Sequence, residues 1–152
     1  MTDRYLPRNN EAEQVVLGCA LMESDNVLPE ILDVLTEKDF YTRSHQIVYR
    51  TLMELAEKKV PVDPIIVGNR LEELGVLGET GGRFYLTELT SRVTTTTSVG
   101  YYAKIVKEKA RKRDLILQGQ EIIELGFNET LGLEEVLSLA ESKLDSVTKQ
   151  LS

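Results

Sequence analysis

The chain has 152 residues, a length that allows one domain or one domain with an appendage. Apolar residues make up 41% of it, and with six Tyr, three Phe and no Trp its core must be mainly aliphatic. The formal net charge of −7 argues against nucleic-acid binding as the default function, because such binding depends on basic residues that neutralise phosphates.

The cysteine content and the hydropathy pattern predict a cytoplasmic protein. The one cysteine, Cys19, cannot form an internal disulfide, which suits a reducing cytosol. The first residues lack the apolar stretch of a signal peptide, and no run approaches about 18 apolar residues. We therefore expect no association with a membrane.

The first part of the chain predicts a series of short helices. Asn10 is expected to cap a helix that begins at Glu11, and Gly18 inside it is expected to permit close packing against a neighbour. A second helix is predicted from about Val27 to Leu35. Its proline, Pro29, is tolerated there because it lies in the first turn.

Capping signals predict three more helices in this part of the chain. Ser44 is expected to cap the third, which runs to about Lys59. Asp63 precedes a proline, as an N-cap precedes the first helical residue, and Gly75 is placed to end this fourth helix in the left-handed conformation. A short fifth helix follows a loop that contains glycines.

A run of four threonines and a serine, residues 94–98, marks a subdomain boundary because β-branched and hydroxyl residues disfavour helix. Val99 to Phe127 then predict one long helix of about 43 Å, and a turn and a final helix follow it. We therefore predict an all-α fold in which a small helical head (residues 1–94) precedes a long C-terminal helical hairpin (residues 95–152).

The sequence offers little basis for catalysis or metal binding. His45 is the only histidine, and a packing or capping role is favoured for it; Cys19 lies on an apolar stripe, which favours a core role over a nucleophile. One Cys and one His cannot make a structural zinc site, and the phosphate-binding motif G-x-x-x-x-G-K-[ST] is absent. We expect a chain without catalytic activity, metal or cofactor.

Residues 104–113 form a basic segment with six basic residues and one acid. Three interpretations remain open for it: a solvated face that pairs with the acidic last helix, an interface for an acidic partner, and direct contact with DNA. The net charge of −7 fits the third interpretation least.

The apolar pattern of the hairpin predicts self-association. Leu137, Leu144 and Leu151 repeat every seven residues, which is typical of a seam that packs on another helix. The long helix carries apolar residues on more than one stripe, so one stripe remains after the other has packed on the last helix. The residues expected to form the self-association surface are Ile116, Ile123, Phe127, Leu133, Leu137 and Leu144.

Six short phrases occur in a characteristic order along the chain. They are PRNNEAEQVVLG at 7–18, DFYTRSH at 39–45, PVD at 61–63, LEELG at 71–75, GGRFYL at 81–86 and YYAKIV at 101–106. Together they resemble the N-terminal domain of the bacterial DnaB-type replicative DNA helicase, over about residues 5–150. The threonine run departs from the family pattern.

The resemblance implies a function in assembly rather than chemistry. In the family this domain is a helical head with a hairpin, and hairpins pair between subunits to form a ring on a hexameric motor. The ring docks the C-terminal domain of primase, and a helicase loader is a further expected partner. The ATP-dependent 5′–3′ helicase motor, with its ATP and Mg²⁺ sites, belongs to a later domain, and weak or no direct DNA binding is expected here.

Two other functions remain open from the sequence. The helicase-binding C-terminal domain of a primase shares the head-and-hairpin design, although the opening phrase EAEQ at 11–14 and the phrase DFYTR at 39–43 favour the helicase. A stand-alone helical DNA-binding protein would use residues 104–113, and a steep salt dependence of its DNA affinity would distinguish it.

Overall fold

The computed structural model describes residues 5–149, and every structural statement below concerns these residues. They form α-helices and two single-turn 3₁₀ helices, without a β-strand in this range, which confirms the predicted all-α class. The α-helices are α1 (Asn10–Met22), α2 (Ser24–Leu32), α3 (Arg43–Glu57), α4 (Pro64–Glu73), α5 (Gly82–Ser91), α6 (Val99–Phe127) and α7 (Leu133–Thr148); the 3₁₀ turns are Glu37–Asp39 and Gly78–Thr80.

The described chain divides into two compact units. The first, Arg8–Ala110, holds α1 to α5 and about the first three turns of α6, whose Val99, Ala103 and Val106 are buried. The second holds residues 5–7 and the chain from Arg111 onward, that is, the rest of α6 with α7. These units are defined by contacts and do not test the predicted boundary between head and hairpin at residues 94 and 95, which stays a prediction.

The core of the first unit is aliphatic and centres on α1. Eight residues of this helix are buried, because α2, α3 and α5 pack around it. Gly18 allows the approach of α5: a Cβ at this position would collide with the carbonyl oxygen of Leu89 and would lie 2.7 Å from a methyl group of Val93. The sequence-based prediction of close packing at Gly18 is therefore confirmed.

Two predicted helix starts were wrong by one or two residues. The cap of α1 is Asn9, whose side chain accepts a hydrogen bond from the backbone N–H of Ala12 at 2.9 Å, whereas Asn10 is the first helical residue. The N-cap of α3 is Thr42 and not Ser44. The backbone N–H groups before α3 bond to the carboxylate of Glu13, a distant residue that local sequence signals do not reveal.

The second helix begins earlier than predicted, and Pro29 lies inside it and not in its first turn. The carbonyl of Glu23 accepts from the N–H groups of Asn26 and Val27, so helix α2 starts almost directly after α1. Pro29 consequently removes one internal hydrogen bond, on a side of the helix that is exposed.

The two end signals of α4 were predicted correctly. Asp63 is the N-cap, and its side chain accepts from the backbone N–H of Ile66 at 2.8 Å. Gly75 follows the helix with a φ of 74°, a left-handed conformation that suits glycine. Local side-chain chemistry is sufficient to define both ends of this helix.

Candidate self-association surface

The second unit is an antiparallel helical hairpin, made by the part of α6 from Arg111 onward and by α7. Asn128 shapes the turn between them, because its side-chain oxygen accepts hydrogen bonds from the backbone N–H groups of Thr130 (2.8 Å) and Leu131 (3.0 Å). At the other end, Arg111 donates to the carbonyl oxygen of Val147 at 2.6 Å. These contacts align the two helices in opposite directions.

The hairpin has a contact side but no enclosed core. The half-buried residues of α6 recur at helical spacing, and those of α7 do the same, so each helix turns one stripe toward the other. No residue of α7 is fully buried. The half-buried positions on these stripes are Arg111, Gln118, Ile122 and Leu125 on α6, and Val136, Ala140, Lys143 and Val147 on α7.

All six residues predicted to form the self-association surface are exposed apolar side chains. On α6, the exposed fractions are 36% for Ile116, 59% for Ile123 and 75% for Phe127. On α7, Leu133, Leu137 and Leu144 are exposed by 73%, 57% and 48%. Leu151, the last member of the predicted seam, lies outside the described residues.

These residues form two stripes, one on each helix. At about 100° per residue, Ile116, Ile123 and Phe127 fall within about 40° of each other and about 150° from the side of α6 that faces α7. We call them the outer stripe. Leu133, Leu137 and Leu144 fall about 70° from the side of α7 that faces α6, and we call them the α7 stripe. Both stripes remain exposed after the two helices have packed together.

The side chains of the basic segment are engaged in several ways. Lys107 forms an ion pair with Asp39 at 3.1 Å, within the first unit. In the hairpin unit, Arg111 bonds to the backbone carbonyl of Val147 and Arg113 to that of Pro7 at 2.9 Å. Outside the basic segment, Lys143 of α7 forms an ion pair with Glu121 of α6 at 3.2 Å.

A buried polar cluster in the first unit was missed by the sequence analysis. The carboxylate of Glu13 accepts from Nδ1 of His45 at 2.8 Å and from the backbone N–H groups of Tyr41 (2.8 Å) and Thr42 (3.3 Å). The other ring nitrogen of His45 lies 2.6 Å from the hydroxyl of Tyr85. Both Glu13 and His45 are almost completely buried, so the cluster ties α1, α3 and α5 together.

A sequence signal for this cluster existed in the helical phase. Glu13 precedes the buried Val16, Leu17 and Ala20 by three, four and seven residues, so it lies on the buried side of α1. His45 bears the same relation to Val48. The predicted packing role of His45 agrees with its burial.

Cys19 occupies the core position that its apolar surroundings predicted. It is buried, and its Sγ lies 3.9 Å from the carbonyl oxygen of Thr95. Burial, with a smaller contribution from the negative charge of Glu23, raises the pKa of this thiol to about 11. A thiol with so high a pKa is a poor nucleophile near neutral pH.

Residues 5–149 contain neither a candidate metal site nor a candidate membrane-spanning helix. Nowhere in this range do three or more His, Cys, Asp or Glu side chains come together in a group that could hold a metal ion. The helices in the same range are too short or too polar to cross a membrane.

The architecture defines a class of protein: an all-helical domain that ends in a helical hairpin with exposed apolar stripes. Within that class, the sequence model of the DnaB-like helicase N-terminal domain matches residues 5–108. The chain belongs to this family.

Known proteins similar to the chain agree with this assignment. The replicative DNA helicase DnaC of Bacillus subtilis is 37% identical over 150 residues, which cover 99% of this chain and 33% of that protein. The replicative DNA helicase DnaB of Leifsonia xyli is 37% identical over 146 residues, covering 96% and 32%. The chain thus spans about a third of the length of these relatives.

Solved structures show the same fold. The crystal structure of the N-terminal domain of DnaB helicase from Mycobacterium tuberculosis matches with a TM-score of 0.88 and 35% identity, covering 94% of this chain and 99% of that one. A structure of a DnaB-like replicative helicase and its interactions with primase matches with a TM-score of 0.74 and 32% identity, covering 91% and 31%.

Proposed function

We propose that this chain is the non-catalytic N-terminal collar domain of a hexameric replicative DNA helicase. In this role it pairs subunits, contributes to assembly of the ring and docks primase during DNA replication. The observation that carries the proposal is the pair of exposed apolar stripes on the hairpin of a domain that belongs to the DnaB family.

Pairing of subunits is supported by the exposure of both stripes. Monomeric proteins rarely leave extended apolar surface in contact with water, and such surface usually marks an interaction site. The hairpin has no buried residue on α7, so α7 gains little from the contact with α6 alone. A second hairpin laid against the stripes would bury the leucines of α7 and the outer stripe of α6.

Docking of primase rests on the relatives of the chain. One similar solved structure is that of a DnaB-like replicative helicase and its interactions with primase. We propose that the C-terminal domain of the cognate primase binds the hairpin unit of this domain, and that a helicase loader is a further partner. The motor, with its ATP and magnesium sites, would lie in the two thirds of the protein that the relatives have beyond this match.

Direct DNA binding by this chain is expected to be weak. Lys107 is already paired with Asp39, and the net charge is −7, so few phosphates would be neutralised at once. We expect a dissociation constant on the order of 10⁻⁶ M or weaker at physiological salt. Nanomolar affinity at that salt would favour the alternative of a stand-alone DNA-binding protein.

Three measurements on the 152-residue chain test the proposal. Light scattering over a concentration series should show a concentration-dependent dimer. Titration of the cognate primase C-terminal domain in a calorimeter, against this chain and against the full-length hexamer, should give saturable binding. Incubation with ATP, magnesium and single-stranded DNA should give no hydrolysis above background. A strictly monomeric chain, or primase that binds neither form, would overturn the corresponding part of the proposal.

A further inference from the structure

The first unit contains an open groove between α2 and the chain that leaves α3, which we call the α2 groove. Its volume is about 520 Å³. Leu28, Ala56 and Val62 line it and are buried or half-buried, so they form an apolar floor. A concave, mainly apolar site of this size with a few polar groups is typical of ligand binding.

Four exposed residues also line the α2 groove, and two of them are prolines. They are Pro29 and Leu32 on α2, and Val60 and Pro61 in the loop after α3. Proline rings present flat apolar faces on which aromatic rings pack well, as in the recognition of proline-rich segments. These residues therefore favour an aromatic occupant.

The polar atoms that α2 contributes to the groove are hydrogen-bond acceptors. The hydroxyl of Ser24 donates its hydrogen to the carbonyl oxygen of Val62 at 3.2 Å, so its oxygen can only accept further bonds. Pro29 has no N–H, so the backbone carbonyl of Asp25 lacks its partner four residues later in the helix. Asp25 is exposed, and its carboxylate forms no ion pair within residues 5–149. This side of the groove suits an N–H donor.

The loop after α3 adds a positive charge. The N–H groups of Lys59 and Val60 bond to the carbonyls of Ala56 at 3.0 Å and Leu55 at 2.9 Å, and Pro61 has no N–H. Lys59 lines the groove with a φ of 58°, a left-handed conformation in which glycine would fit with less strain. Its ammonium group can approach the face of an aromatic ring, and tryptophan attracts such a cation most strongly.

We propose that the α2 groove binds a tryptophan side chain carried by a segment of a partner protein. Among large apolar side chains, that of tryptophan carries a ring N–H that donates and does not accept, which complements the acceptors at Asp25. The same ring can pack on Pro29 and offer its face to Lys59. The 152 residues contain no tryptophan, so the occupant comes from outside this sequence. The site lies in the first unit and does not depend on the proposed pairing of hairpins.

Titration of the chain with short peptides tests the proposal. The probe is acetyl-Gly-Ser-Trp-Ser-Gly-amide; one counterpart has phenylalanine in place of tryptophan, and another has a tryptophan methylated on the indole nitrogen. Methyl NMR measures all three peptides and locates them on the chain. We expect saturable shifts at Leu28, Leu32 and Val60, and binding at least about threefold weaker for each counterpart, because neither has the ring N–H. Since the chain has no tryptophan, the fluorescence of the probe gives its affinity independently.

Matched substitutions show whether the groove is the binding site. Leu32→Asp places a carboxylate in the apolar groove and should weaken binding of the probe at least about tenfold. Val34→Asp is the control, because Val34 is exposed by 39%, against 38% for Leu32, but does not line the groove. Lys59→Gly removes the ammonium group and suits the left-handed backbone, so it should weaken binding about two- to fivefold without loss of thermal stability.

Each contrary result overturns a defined part of the proposal. Shifts confined to the leucines of α7 would place the peptide on the hairpin, and the absence of any saturable shift would refute binding. Equal affinity of the three peptides would refute the indole as the occupant. Equal effects of Leu32→Asp and Val34→Asp would refute the groove as the site. Circular dichroism verifies the fold of each variant, and if Leu32→Asp does not fold, unchanged affinity in Lys59→Gly would refute the site instead.

Discussion

Replacing Ile116 and Ile123 with aspartate should convert the dimer proposed above into a monomer. The exposed fractions of Ile116, Ile123 and Phe127 are 36%, 59% and 75%. Complete burial of the outer stripe in a dimer would therefore still gain somewhat more than half of the burial free energy of three apolar side chains. That corresponds to about 2.5–5 kcal/mol per chain, and to twice as much in a two-fold pair. The α7 stripe offers a similar amount, against an association cost of about 4–15 kcal/mol.

The double substitution acts on this balance in two ways. It removes the contribution of two isoleucines per chain, and it places four carboxylates per dimer against an apolar surface without partners. At about 1 kcal/mol or more for each unsatisfied group, the loss is at least about 4 kcal/mol, or roughly a thousandfold in the dissociation constant. The first unit should remain folded, because its core lies in Arg8–Ala110.

Light scattering reports the mass and circular dichroism reports the helix content of the variant. The matched control is Leu117→Asp with Leu139→Asp, since both leucines are exposed but lie off the two stripes. This control has the same added charge and should keep the mass of the unsubstituted chain. A stripe variant that stays dimeric, or a control that dissociates equally, would refute the assignment of the outer stripe.

Three further predictions concern the first unit and are tested by urea unfolding and thiol labelling. His45→Ala should lower the free energy of unfolding by about 2–4 kcal/mol, because it leaves the buried carboxylate of Glu13 without its side-chain partner. His45→Gln keeps a hydrogen-bond donor and should lower the free energy of unfolding by less. Equal losses in the two variants would argue against the hydrogen bond. Gly18→Ala should destabilise by about 1–3 kcal/mol because its Cβ would collide with the α5 backbone, and Gly119→Ala, where nothing lies within 4 Å, should be neutral or stabilise by up to about 1 kcal/mol. Cys19 is buried and its pKa is raised to about 11, so it should react slowly with iodoacetamide. At pH 8 we expect a rate at least about a hundredfold lower in the native chain than in urea. Comparable rates would contradict the core position of Cys19.

Helix periodicity and strong end signals could be read from the sequence. The bounds of the long helix, Val99 to Phe127, were predicted correctly, as were the cap at Asp63 and the left-handed Gly75. These features depend on residues within a few positions of each other, so the local sequence is sufficient to determine them. Pro29 shows the limit, because its place within α2 depends on where the preceding helix ends.

The buried cluster could not be derived from local patterns in the same way. Glu13 and His45 are 32 residues apart, and their contact exists only because α1 and α3 pack together. The same carboxylate accepts hydrogen bonds from the backbone N–H groups of Tyr41 and Thr42, directly before α3. The helix begins after Thr42, so the prediction of Ser44 as its cap was wrong. In the sequence, such a cluster is indicated by a charged residue that shares a helical phase with buried apolar residues, as Glu13 does with Val16 and Leu17.

The sequence alone determined three features of the candidate surface: which side chains are apolar, how they are spaced along two helices, and how charge is distributed along the hairpin. These features depend only on residue order. The tertiary structure decided which of those side chains remain exposed once α6 and α7 have packed together, with Ile122 and Leu125 turned inward and Ile116 and Ile123 left in contact with water. The physical reason is that exposure depends on which stripe each helix turns toward its neighbour, and that choice is made by packing between helices and not within either one.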